Sequence, residues 1–176
     1  MSKKRKLQLY EALELRAEYD ARIKTLKDCL PETRQNRGRL LFHDYEVMRR
    51  PSSDFDVSEA RRKFRKLETR RRKLNSAIQK TNFDYKIDFS GESINLSEAL
   101  ETRKGINERI GELHTQVVNS AYQKVIYKEG RDIVEESEFP YTQCIADLEE
   151  ARLAFRELNR KLRLASFEAT VDFEDE

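Results

Sequence analysis

A chain that spells one helix twice is constrained to fold as two equivalent pieces. Here Leu9-Tyr10-Glu11-Ala12-Leu13-Glu14-Leu15-Arg16 returns as Leu96-Ser97-Glu98-Ala99-Leu100-Glu101-Thr102-Arg103. The match continues at the same offset: Arg22 with Arg109, Ile23 with Ile110, Leu26 with Leu113. At nearly that offset Leu74-Asn75 returns as Leu158-Asn159, Ile78 as Leu162, Phe83 as Phe167, and Ile87-Asp88-Phe89 as Val171-Asp172-Phe173. A repeat of fixed period reports how a protein is built before it reports what it does. The expected organisation is a basic tail over 1–6, one unit over 7–89, a linker over 90–95 and a second unit over 96–173. At this length the two halves are expected to form one compact domain.

The spacing within each copy predicts two long helices. Ala12, Arg16, Tyr19, Ile23, Leu26 and Leu30 alternate by four and three residues, which marks one seam of a helix over 7–30. Pro31 ends it. The copy places Ala99, Arg103, Ile106, Ile110, Leu113 and Val117 at the same steps, with Asn95 or Ser93 as its cap and Glu98 completing a capping box with Asn95. A second helix over 57–81 has Val57, Ala60, Phe64, Leu67, Arg71, Leu74 and Ile78 on its seam. The copy has Tyr141, Cys144, Leu148, Ala151, Phe155, Leu158 and Leu162. Two helices of similar length, each about 36 Å at 1.5 Å per residue, make an antiparallel hairpin when the chain reverses between them. The expected class is therefore mainly α: duplicated helical hairpins forming a four-helix bundle, each followed by a short β-like segment. Those segments, 83–89 and 167–173, alternate in a strand's period and are expected to pair with each other, within the chain or between chains, the alternative being extended tails packed on the bundle.

The connectors differ most between the copies. Residues 31–56 hold a short helical phrase, Leu40 to Met48. Residues 114–140 extend a helix through Tyr122, pass Gly130 to Ile133-Val134 and break at Pro140. Connecting segments are where function tends to sit.

Composition narrows the class. Charged residues reach 39% against 38% hydrophobic, which suits long helices that bury one stripe and solvate the rest. The net charge of +2 hides two poles: 24 Lys/Arg against 14 Asp/Glu in residues 1–90, and 11 against 19 in 91–176. The basic pole fits a polyanion, or the acidic pole of this chain or of a neighbour. No apolar run approaches the ~20 residues that span a bilayer. The patch Lys3-Lys4-Arg5-Lys6 is followed by no apolar stretch of a secretory signal, so a cytoplasmic location is expected.

Two groups of residues carry candidate chemistry. Arg16 and Arg103 occupy seam positions, where an arginine is costly unless paired. One reading is a register-fixing ion pair with a carboxylate of another helix. The other is a pair of guanidinium forks on a phosphate or carboxylate, as a small-ligand binder or enzyme would need. The second group is the run Arg61, Arg62, Lys63, Arg65, Lys66, Arg70, Arg71, Arg72 and Lys73, nine cations in thirteen residues. It can track a nucleic-acid backbone by counterion release, or meet an acidic protein surface. Against the first stands the lack of nearby aromatics to stack bases. Arg71, where the copy has Phe155, is expected to face solvent or the hairpin end.

Metal and cofactor chemistry finds no foothold. Cys29, His43, His114 and Cys144 have no zinc-ligand spacing, and Cys144 falls on an apolar seam. No glycine-rich phosphate loop or nucleophile motif is present, and no acid–base pair stands out among the scattered carboxylates. No catalytic residue, metal or cofactor is expected.

The repeated Glu-Ala-Leu…Arg…Arg-Ile…Leu phrase, the junction from Thr81-Asn82 through Ser90-Gly91 to Leu96–Arg103, and the closing helix Leu148–Phe167 resemble the septicolysin-like family of small bacterial helical proteins. The resemblance covers nearly the whole chain, with 31–56 as a departure. It implies a helical bacterial protein without an assigned biochemical role and supplies no catalytic residues. The family name implies a pore-forming cytolysin, against which stand helices too polar to face lipid. The leading expectation is a non-enzymatic, self-associating helical interaction protein.

Overall fold

The structure is a computed structural model and describes residues 6–30, 50–128 and 130–174. It is mainly helical. In chain order it runs β1 (Leu7–Gln8), α1 (Leu9–Cys29), α2 (Val57–Asp84), β2 (Lys86–Phe89), β3 (Glu92–Asn95), α3 (Leu96–Ser120), β4 (Lys124–Lys128), β5 (Arg131–Glu135), α4 (Tyr141–Glu168) and β6 (Thr170–Val171). The chain divides into two compact units where one domain is expected from its length. The first is Met1–Thr81 with Thr170–Glu176, and the second is Asn82–Ala169. The phrase Leu40 to Met48, with His43, and the tail residues Lys3 to Arg5 lie outside the described residues.

In the first unit α1 and α2 run antiparallel. Arg16 reaches Asn75, and Asp20 reaches Arg71, so partners on α2 recede as α1 advances. Helix α2 begins where Asp56 caps it, its Oδ1 accepting from the backbone N–H groups of Ser58 (2.8 Å) and Glu59 (3.1 Å). The seams bury as their spacing predicts at Ala12, Tyr19 and Leu30 on one side and Ala60, Leu74 and Ile78 on the other. Residues 7 and 8 are not the first turn of α1, as the periodicity suggests, but a two-residue strand paired antiparallel with β6. Glu11 explains the later start: its carboxylate accepts the Gln8 N–H at 2.8 Å and satisfies a donor at the helix entry.

The second unit is another helical hairpin with a small β-hairpin packed on it. Ala99, near the start of α3, shares a cluster with Leu158, toward the end of α4, so these helices are also antiparallel. Phe89 of β2 completes the cluster, with Ile87, Ile94, Ile106, Ala154 and Leu162 packed around it. Lys161 closes the edge, donating to the Asp88 carbonyl with its ammonium 6.0 Å from the Phe89 ring centre. Asn95, rather than Ser93, caps α3. Its side chain accepts the Glu98 N–H at 2.9 Å, and Glu98 accepts the Asn95 N–H at 2.8 Å.

The β segments depart most from expectation. Residues 83–89 and 167–173 do not pair with each other. β2 pairs with β3, and β6 pairs with β1. Ser90 (φ 52°) and Gly91 (φ 84°) both take left-handed backbone between Phe89 and Glu92, the geometry of a two-residue hairpin turn. Closing that short loop costs far less entropy than joining segments a whole repeat apart. Residues 92–95 of the expected linker are therefore strand β3. The segments also start late, because α2 continues through Phe83 and Asp84 and α4 through Phe167 and Glu168. No proline or glycine interrupts either stretch, and each further helical residue adds a hydrogen bond.

One element has no counterpart in the sequence reading. β4 and β5 form an antiparallel hairpin over Lys124–Lys128 and Arg131–Glu135 in the connector between α3 and α4.

Candidate functional site

Helical spacing builds a groove in the first unit. Lys63, Lys66, Leu67 and Arg70 fall at steps of three, four and seven along one face of α2. Arg22, Thr25 and Leu26 do the same on α1 with steps of three and four. Together they line an open groove of about 410 Å³ whose floor is Leu26 and Leu67 and whose rim is cationic.

The rim charges are not equivalent. Arg22 pairs with Glu18, and Lys63 with Glu59 at 2.8 Å, each within its own helix. The Lys63 hydrogen bond and charge hold the Glu59 carboxyl below its ordinary pKa. Among the described residues, Lys66 and Arg70 have no carboxylate partner. Arg65, Arg72 and Lys73 of the same run are exposed and likewise lack one among the described residues, whereas Arg62, also exposed, adds its charge to that of Lys63 near Glu59. Arg61 is half-buried. Arg71 is exposed, as expected, and its Nε donates to Asp20 Oδ1 at 2.8 Å. Among the described residues no aromatic side chain lines the groove, so they offer cations and aliphatic surface without a stacking platform.

The repeated arginines take different environments. Arg16 is half-buried, and its Nη1 donates to Asn75 Oδ1 at 3.4 Å, so its interhelical partner is an amide rather than the carboxylate of the ion-pair reading. Arg103 is exposed. Arg16 belongs to the first unit and Arg103 to the second, and neither lines the groove.

The sequence reading names the cations but misses their division. The missed signal is Leu67 between Lys63, Lys66 and Arg70, an apolar residue on the same stripe as the charges. Cys144 is buried on its seam, and Cys29 is exposed. Among the described residues no group of His, Cys, Asp or Glu is placed to hold a metal ion. Among them too, no helix is long and apolar enough to cross a membrane.

Fold and groove together define a helical-hairpin protein with short β pairings and a basic face. The crystal structure of a functionally unknown conserved protein from Corynebacterium diphtheriae has a similar fold, with a TM-score of 0.63 at 16% identity. The alignment covers 96% of this chain and 100% of that one. At this identity the likeness is one of fold. No family model matches the chain, and no curated protein matches it.

Proposed function

We propose that this chain is a non-enzymatic, self-associating helical protein of the bacterial cytoplasm, and that the α1–α2 groove receives an acidic, partly apolar protein surface. The observation that carries this is the groove's composition: an aliphatic floor with two rim cations, Lys66 and Arg70, that lack carboxylate partners among the described residues. An interface needs apolar area to bury and complementary charge to orient it. Sedimentation of the purified chain tests the reading, with association that weakens as salt rises as the expected result.

The same reading takes the chain as two copies of one hairpin assembled into a four-helix bundle, with septicolysin-like relatives. Recurrent local features support the duplication. Glu11 and Glu98 each bond back to the N–H three residues earlier, at Gln8 and Asn95. Ala12 and Ala99 are both fully buried, as are Leu74 and Leu158.

A nucleic-acid reading has one observation in its favour, the exposed cations Arg62, Arg65, Arg72 and Lys73 beside the groove. Its test is retention of RNA or DNA at low salt, where non-specific affinity is greatest. Retention that disappears in an Arg62→Glu, Lys66→Glu, Arg70→Glu, Lys73→Glu variant would favour it. A wild-type chain that retains neither polymer would dismiss it.

A further inference from the structure

The β4–β5 hairpin of the second unit is built like a covered element and yet is uncovered. Its register sets Val125 opposite Val134, Ile126 opposite Ile133 and Tyr127 opposite Asp132. Side chains alternate across a strand, so Val125, Val134 and Tyr127 share one face, and Ile126 and Ile133 the other. Apolar pairs on both faces are the pattern of strands packed on both sides. In this chain Tyr127 is 76% exposed and Val125 56%. A lone two-stranded hairpin is marginal in water. The exposed Lys124–Glu135 pair, at 2.9 Å, adds little to it.

The residues that follow give the arm a sign. Glu136, Glu138 and Phe139 are exposed, and among the described residues neither glutamate has a cationic partner. The α1–α2 groove presents the complement: Leu26 and Leu67 between Lys66 and Arg70. Both poles belong to one sequence, so a second copy brings both without any further protein. Among the described residues of its own unit the arm remains exposed.

From this match we infer that the arm formed by β4, β5 and residues 136–139 docks in the α1–α2 groove of a second copy of the chain. Phe139 lies over Leu26 and Leu67, and Glu136 and Glu138 meet Lys66 and Arg70. The inference rests on the self-association proposed above and names its surfaces. Arm-to-groove contact joins unlike surfaces. Reciprocated about a two-fold axis it closes a dimer with two copies of the contact, and otherwise it propagates.

Charge exchange tests this directly. An arm variant carries Glu136→Lys with Glu138→Lys, and a groove variant carries Lys66→Glu with Arg70→Glu. Sedimentation of the full chain at low salt should show each variant associating about tenfold or more weakly than wild type, since like charges then face each other. An equal mixture of the two should recover association, because each basic arm then meets an acidic groove and each acidic arm a basic groove. If the groove variant loses helical signal, Lys66→Glu alone, at an exposed position, carries the same expectations. An arm variant that associates as tightly as wild type, or a mixture that stays dissociated, overturns the arm while leaving self-association in place. A wild-type chain that is monomeric throughout overturns both.

Discussion

Replacing Leu158 by alanine probes the joint between the second unit's helices and its β-hairpin. Leu158 is 0% exposed, and it shares its cluster with Ala99 of α3 and Phe89 of β2. The change removes three carbons, worth about 2.4 kcal/mol at ~0.8 kcal/mol per buried methylene. Flanking Ile87 and Ile106 sit on different elements, so the space closes only in part and a cavity cost adds to the transfer cost. The total falls at about 3–4 kcal/mol, within the usual Leu→Ala range. For a chain of this size that is a melting shift of about 10 °C. Leu164, on the same helix but 54% exposed, is the control, and alanine there should cost less than about 1 kcal/mol. Urea and thermal unfolding followed by far-ultraviolet circular dichroism would measure both. Equal losses at the two positions would refute the core assignment and with it the docking of β2 on the helices.

Further outcomes follow from individual contacts. Asn95→Ala should cost about 1 kcal/mol, because it removes the cap of α3, whereas Ser93→Ala should stay within about 0.5 kcal/mol; urea midpoints decide between them. Arg16→Met should leave stability within about 1 kcal/mol of wild type or raise it, since the lost bond to Asn75 is long and a half-buried charge is removed with it. A loss above about 2 kcal/mol in the same assay would show that the guanidinium holds the register. Tyr85 donates to Glu168 at 2.6 Å; this bond first, then burial and the nearby carboxylate charge, raise the phenol above its ordinary 10.0. The folded chain thus holds that proton more tightly than the unfolded one. The resulting stability is complete below about pH 10 and is lost as pH rises through the folded pKa. Tyr85→Phe should therefore be destabilised by about 1 kcal/mol at neutral pH, with the gap to wild type narrowing in alkali when both are melted across that range.

Much of the helical content was legible because helices announce themselves by period. Ala12, Tyr19, Leu74, Ile78, Ala99, Leu113, Leu148 and Leu158 lie on the expected seams and are buried. The seam position of Arg103 misled as burial, whereas Arg71, read as facing solvent or the hairpin end, is exposed. A three-four pattern continues past the end of a packed face, and an arginine can lie along it with its head in water. The β pairings were less legible. Alternation in 83–89 was real, but it does not say which partner a strand takes, and the positive-φ turn at Ser90-Gly91 decides that. The β4–β5 hairpin escaped notice because Val125-Ile126-Tyr127 and Ile133-Val134 are apolar on consecutive residues, which erases the alternation that marks a half-buried strand. The basic run was visible as composition, while its groove depends on Leu26 arriving from another helix.

The most direct test of the account is sedimentation equilibrium of the unmodified chain at micromolar concentration over a series of salt concentrations. Interaction through an exposed cationic rim predicts an associated species at low salt whose dissociation constant rises steadily as the Debye length shrinks from ~30 Å at 0.01 M to ~10 Å at 0.1 M. A monomer at every salt concentration, or an oligomer indifferent to salt, would contradict it.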